Sequence, residues 1–169
     1  MLAASLIACG PSPSSALDPP SEGDVCVPEA TAALGPEAPL TVGQGSGSSF
    51  VALEDGDVAT FVLGFQGGYM ITPVLRLPLV GEQPSLCLEV VIAHQIVDGP
   101  TDDVSAGLFQ YARFERGVDG FESAPVSDLL AYDPGLLEGR SLSLDVTVRG
   151  SEVTGSRSVV LLLTSAAVP

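Results

Sequence analysis

One histidine, 21 carboxylates and six basic residues are the side chains with which this 169-residue chain could do acid–base, metal or anion chemistry. The histidine is His94. Zinc sites draw on several His or Cys ligands, and no second His exists. The expectation for His94 is a hydrogen-bonded or solvated residue at a strand end. The carboxylates cluster at Glu54-Asp55-Gly56-Asp57, at Asp98 with Asp102-Asp103, and at Asp119 with Glu122. Calcium prefers such oxygen-rich loops, but none has the twelve-residue EF-hand spacing. "DGD" between two apolar runs is first of all a tight turn. "GQGSGSS" (Gly43 to Ser49) has alternating glycines but no following Lys and no helix to present phosphate-binding N–H groups. No nucleophile elbow and no HExxH zinc motif is present. These absences predict a chain that is not an enzyme and holds no cofactor or metal. Aromatic and Arg side chains interleave only in "LFQYARFERG" (Leu108 to Gly117). Both types are enriched at protein interfaces. Phe109, Tyr111, Arg113 and Arg116 are therefore the candidate interaction surface, and an ordinary strand with one aromatic face in the core is the alternative.

The elements that must position these residues are strands. Residues 141–149 read "SLSLDVTVR", with Leu142, Leu144, Val146 and Val148 on one face and polar residues on the other. That period of two marks a half-buried strand. Leu86, Leu88, Val90 and Ile92 form a second such face, and His94 continues its parity. Cys87, Glu89, Val91 and Ala93 oppose it, so this strand reads as central. Further candidates are residues 49–53, 58–65, 69–77, 108–115 and 158–164. "EDGD" (Glu54 to Asp57), "QGG" (Gln66 to Gly68) and "RGSEVTGS" (Arg149 to Ser156) supply turns between them. The segment 126–137 has room for a helical turn, interrupted by Pro134 and Gly135. The pattern predicts an all-β fold: an antiparallel β-sandwich of seven or eight strands over residues 39–169, Ig-like in the commonest case, with a small barrel as the alternative.

Charge narrows the partners. The net charge is −15, all six basic residues are Arg, and Lys and Asn do not occur. Phosphate recognition needs a basic patch, so nucleic acid is not an expected partner. Electrostatic docking on anionic lipid is equally disfavoured. Lys and Asn have AT-rich codons, so their absence points to a GC-rich genome.

The first residues suggest a different route to a membrane. Leu6-Ile7-Ala8-Cys9 resembles the bacterial lipobox, in which the bond before the Cys is cut and the Cys carries lipid. The resemblance implies that Cys9 is the lipidation site and Ala8 the last residue of a signal. Only Leu2 to Ala8 lie between Met1 and Cys9, with no Lys or Arg, so residues 1–9 read as a truncated signal segment. Residues 10–38 are rich in Pro, Ser, Gly and Ala and read as a tether. "QGGY" (Gln66 to Tyr69) resembles a segment of secreted lipoproteins from GC-rich Gram-negative bacteria such as myxobacteria. That resemblance implies a β-rich extracytoplasmic domain in the cell envelope, of the outer membrane or periplasm. With Cys9 lipidated, Cys26 and Cys87 remain. In an oxidising compartment an even pair suggests a disulfide, and the alternative is a buried free Cys87 with an exposed Cys26.

The expected function is that of a membrane-tethered structural or protein-interaction domain. A calcium- or glycan-binding module is the first alternative, weakened for glycans by the absence of Trp. A hydrolase using paired carboxylates is the second, since 21 acids leave room for a pair.

Overall fold

The computed structural model describes Cys26 and residues 34–64, 67–98, 108–131 and 133–166. The fold is all-β. Among the described residues eleven strands run in chain order: β1 (Thr41–Gln44), β2 (Val51–Ala52), β3 (Val58–Leu63), β4 (Tyr69–Ile71), β5 (Val74–Leu77) and β6 (Ser85–Ile96), then β7 (Leu108–Arg116), β8 (Phe121–Ser123), β9 (Asp128–Ala131), β10 (Ser141–Arg149) and β11 (Thr154–Ser165). They form one curled sheet in the order β2-β1-β5-β8-β7-β6-β10-β11-β3-β4-β9. Among the described residues no helix is long and apolar enough to cross a membrane.

The centre of the sheet follows from period-two patterning. β10 pairs along its whole length with β11 on one side and, from Leu142 to Arg149, with β6 on the other. Leu142, Leu144, Val146 and Val148 are all buried, as are Leu86, Leu88, Val90 and Ile92 of β6 and Val159, Leu161 and Leu163 of β11. A slip of one residue in this ladder would expose every one of them, so the hydrophobic face sets the register. Burying each such side chain stabilises the fold by roughly 1.5–3 kcal/mol. Phe61, Phe114 and Phe121 complete the same core from β3, β7 and β8.

Two features depart from the predicted seven or eight antiparallel strands. The sheet is mixed, because β3 runs parallel to β11 from Leu162↔Val58 to Ser165↔Phe61. It also holds short strands with too few residues to show a period: β1, β8 and β9. The run 69–77, predicted as one strand, is two. β4 pairs with β3 and β9 near one end of the sheet, whereas β5 pairs with β1 and β8 near the other. The break falls at Thr72-Pro73, where proline cannot donate to a ladder and where Pro73 O accepts from Val126 N at 2.8 Å. The segment 126–137 holds a short helical turn, the 3-10 turn Pro134–Leu136, and also the strand β9, which was not predicted.

The three turn signals behave differently. "RGSEVTGS" closes the β10–β11 hairpin, with Gly150 N donating to Val153 O at 2.9 Å. The glycines after Gln66 close the β3–β4 hairpin, where Gly67 has φ +82. "EDGD" is a turn, with Asp57 N donating to Glu54 O at 3.0 Å and Gly56 at φ +88, but it does not join paired strands. β2 pairs with β1, and β3 with β11 and β4. The chain crosses between the two ends of the curled sheet here, at Thr72-Pro73, and again between β8 and β9 at Ala124-Pro125.

Candidate functional site

Of the residues singled out for chemistry, those on β7 form the most exposed apolar feature. Phe109, Tyr111 and Arg113 share the outward face, while Phe114 is buried. Phe109 is 57% exposed and Tyr111 45%. Their rings pack edge to face with centroids 5.4 Å apart. On the neighbouring strand β6, Val91 stands opposite Phe109, and Glu89 opposite Tyr111. Glu89 also accepts from Arg149 Nη1 at 3.3 Å. Two aromatic rings thus lie on the outer surface of a rigid central ladder, which is where an interaction surface needs them.

Arg116 does not belong to that surface. It lies three residues beyond Arg113, and an odd separation on a strand puts side chains on opposite faces. Its guanidinium sits 4.9 Å from the Phe121 ring centroid and donates to Gln83 O at 2.7 Å and Gly81 O at 2.5 Å. Arg116 therefore holds the turn that leads into β6.

A concavity of about 600 Å³ adjoins this Arg and is lined also by Gly47, Arg76, Asp119 and Glu122. Three of its polar groups are engaged with one another. Arg76 Nη2 donates to Glu122 Oε2 at 2.5 Å and to Gly47 O at 3.1 Å, and Gly47 N donates to Glu122 Oε1 at 2.8 Å. The Arg76 guanidinium also lies over the Phe50 ring at 3.9 Å. Burial is the largest single influence on the Glu122 carboxyl and opposes its ionisation. The Arg76 and Gly47 hydrogen bonds and the Arg76 charge together outweigh it and hold its pKa below the usual glutamate value. Glu138 is lowered as well, first through the backbone N–H of Ser165. A carboxylate depressed in the folded state contributes stability above its unfolded pKa and loses it as pH falls through the folded one. Glu122→Gln is therefore expected to lower Tm at neutral pH, and the gap to wild type should shrink as pH falls below 4.5, the ordinary value. Thermal melts across that range check this. A gap as large at about pH 3 as at neutrality would contradict it.

Of the two expectations for His94 the hydrogen-bonded one holds, and the residue lies within β6 rather than at its end. It is buried on the inner face of β6, with Nδ1 2.7 Å from Asp128 Oδ2 of β9, and Asp128 is buried too. Its parity is readable from the sequence; its partner is not, because Asp128 falls in a segment whose pattern predicts no strand. No group of three or more His, Cys, Asp or Glu suited to a metal occurs among the described residues. The "EDGD" carboxylates are committed to the fold instead. Asp55 Oδ1 accepts from Val160 N at 2.9 Å, Asp57 Oδ2 accepts from Glu54 N at 2.9 Å, and Glu54 pairs with Arg157. Asp98 Oδ1 accepts from Ser141 N at 3.1 Å. Asp102, Asp103 and Cys9 lie outside the described residues.

Cys26 and Cys87 are joined in a disulfide with Cα atoms 5.5 Å apart. Cys87 is on the outward parity of β6, directly opposite Arg113. Cys26 is thereby fixed to the same outer face that carries Phe109 and Tyr111. Past it, Gly35 N donates to Gly150 O at 2.8 Å and Ala38 N to Thr154 O at 2.8 Å, so residues 35–38 lie along the β10–β11 turn. Compared with protein-family models, curated proteins and solved structures, the chain matches none of them.

Proposed function

We propose that this chain is a lipid-anchored extracytoplasmic domain of the bacterial cell envelope that acts by binding a protein partner rather than by catalysis. The observation that carries this reading is the outward Phe109–Tyr111 pair on the face that also carries the Cys26–Cys87 disulfide. A disulfide fits an oxidising compartment. Large exposed aromatics on a soluble sheet face fit a surface meant to be covered. The Leu6-Ile7-Ala8-Cys9 motif supplies the anchor, and lipid on Cys9 would bind such a domain to a membrane stably when more than one acyl chain is attached. The curl that brings β9 across from β6 supports a sandwich-like, Ig-like reading of the architecture.

The anchor is tested on native protein isolated from membranes. Its intact mass should correspond to a chain beginning at Cys9 with added acyl mass, and Cys9→Ala should release it from the membrane fraction. An unmodified chain beginning at Met1 would overturn the anchor.

A further inference from the structure

We propose that the open edge of β7 at Phe109 and Tyr111 takes an extended, cationic segment of a partner protein as an added strand. This rests on the binding reading above and names the partner's form.

The geometry comes from the ladder. β6 and β7 pair without a break from Ser85↔Glu115 to Ile92↔Leu108. One step further, Arg116 N donates to Pro84 O at 2.9 Å. Backbone groups alternate sides along a strand, so the even-numbered residues of β7 turn N–H and C=O toward β6 and the odd-numbered ones turn away. Gly117 N donates to Gly120 O at 2.7 Å on the β8 side, as this parity requires. β8 covers that outer edge only from Phe114 to Arg116. It ends at Ser123, and Val126, which the register would place opposite Tyr111, donates instead to Pro73 O at 2.8 Å. Beyond it, among the described residues, nothing pairs with the outward backbone of Phe109 and Tyr111. Two donors and two acceptors there present the template that a strand completes.

Two other exposed stretches of sheet among the described residues are blunted. The flank of β11 is closed by the "EDGD" turn, where Gly56 N donates to Val160 O and Leu162 N to Asp57 O, both at 2.8 Å. The terminal strand β2 has only two residues. Proteins ordinarily blunt an edge with proline, a bulge or lysine. At Phe109 to Tyr111 the register is unbroken and there is neither Pro nor Lys. The side chains beside the open groups are two aromatic rings at i and i+2, the spacing at which an added strand lays alternate side chains.

Charge selects the occupant. The chain carries −15. Arg76, Arg149 and Arg157 are already paired with Glu122, Glu89 and Glu54. Two copies meeting edge to edge would repel, whereas a cationic segment with apolar residues at alternate positions is drawn in and seats on the rings.

The test uses the full chain, isotope-labelled, with a synthetic decapeptide of alternating Val and Lys as the probe. The Phe109 and Tyr111 amides should exchange rapidly in the free protein and become protected on adding the peptide. Tyr111→Pro removes an outward N–H without touching the β6 ladder, so it should weaken binding at least about tenfold while Tm moves little. Gln110→Pro, whose N–H faces β6, should lower Tm markedly and so checks the parity. Phe109→Arg keeps the backbone and should also weaken binding. Amides at 109 and 111 already protected in the free protein, or binding unchanged in Tyr111→Pro, would overturn the proposal. A dimer dissociated by Tyr111→Pro would overturn the foreign occupant in favour of a second copy. A native chain beginning at Met1 would remove the anchor and leave these edge results standing.

Discussion

Asp128→Ala is expected to destabilise the fold by about 1–3 kcal/mol, the cost of leaving one member of a buried polar pair without its partner. His94 is 5% exposed and Asp128 2%, and they meet at 2.7 Å between β6 and β9. Around them the inner face is aliphatic: Ile92 and Ile96 flank His94 along β6, and Leu144 stands opposite on β10. No water can take the carboxylate's place without opening that packing. The bond also does structural work that a surface pair could not. β9 has four residues and, among the described residues, pairs only with the three-residue β4. The contact with His94 ties this outermost strand directly to the long central ladder, across the curl of the sheet. His94→Leu alone should cost a similar amount, because it strands the Asp128 carboxyl. His94→Leu with Asp128→Leu should recover much of the loss, since two apolar groups leave nothing unsatisfied. Urea denaturation of the four proteins closes the cycle. Losses that simply add would refute the coupling, and amide exchange should localise the opening to β9.

What could be read in the sequence divides along physical lines. β10 matches residues 141–149 end to end because its two faces differ at every step, and period two needs nothing else. β6 was found from Leu86 to Ile92 but extends to Ile96, because His94 interrupts the apolar run while keeping its parity. β1, β8 and β9 have four residues or fewer, too short for a period to emerge. The parallel pairing of β3 with β11 joins segments a hundred residues apart, and nothing local encodes it. The site divides the same way. Parity alone separates Arg116 from Phe109, Tyr111 and Arg113, so that distinction was available in the sequence. The open edge was not, since it depends on where β8 stops. Cys26 and Cys87 were paired by counting thiols, which needs no geometry.

Replacing Cys26 and Cys87 together by Ser is expected to cost about 4 kcal/mol, the chain-entropy value for closing a loop of this length. The two residues are 61 apart in sequence. Cys87 points outward from β6, opposite Arg113, so its removal opens no cavity among Leu86, Leu88 and Val90 on the other face. The loss should therefore arise mainly in the unfolded state, which gains freedom when the loop opens. Two readouts separate this from a packing defect. The urea m-value should rise, because a chain without the cross-link exposes more surface on unfolding. Wild type with reductant should fall to the stability of the double Ser variant, and the variant should ignore reductant. Equal stability with and without reductant would mean that the bond does not form in solution.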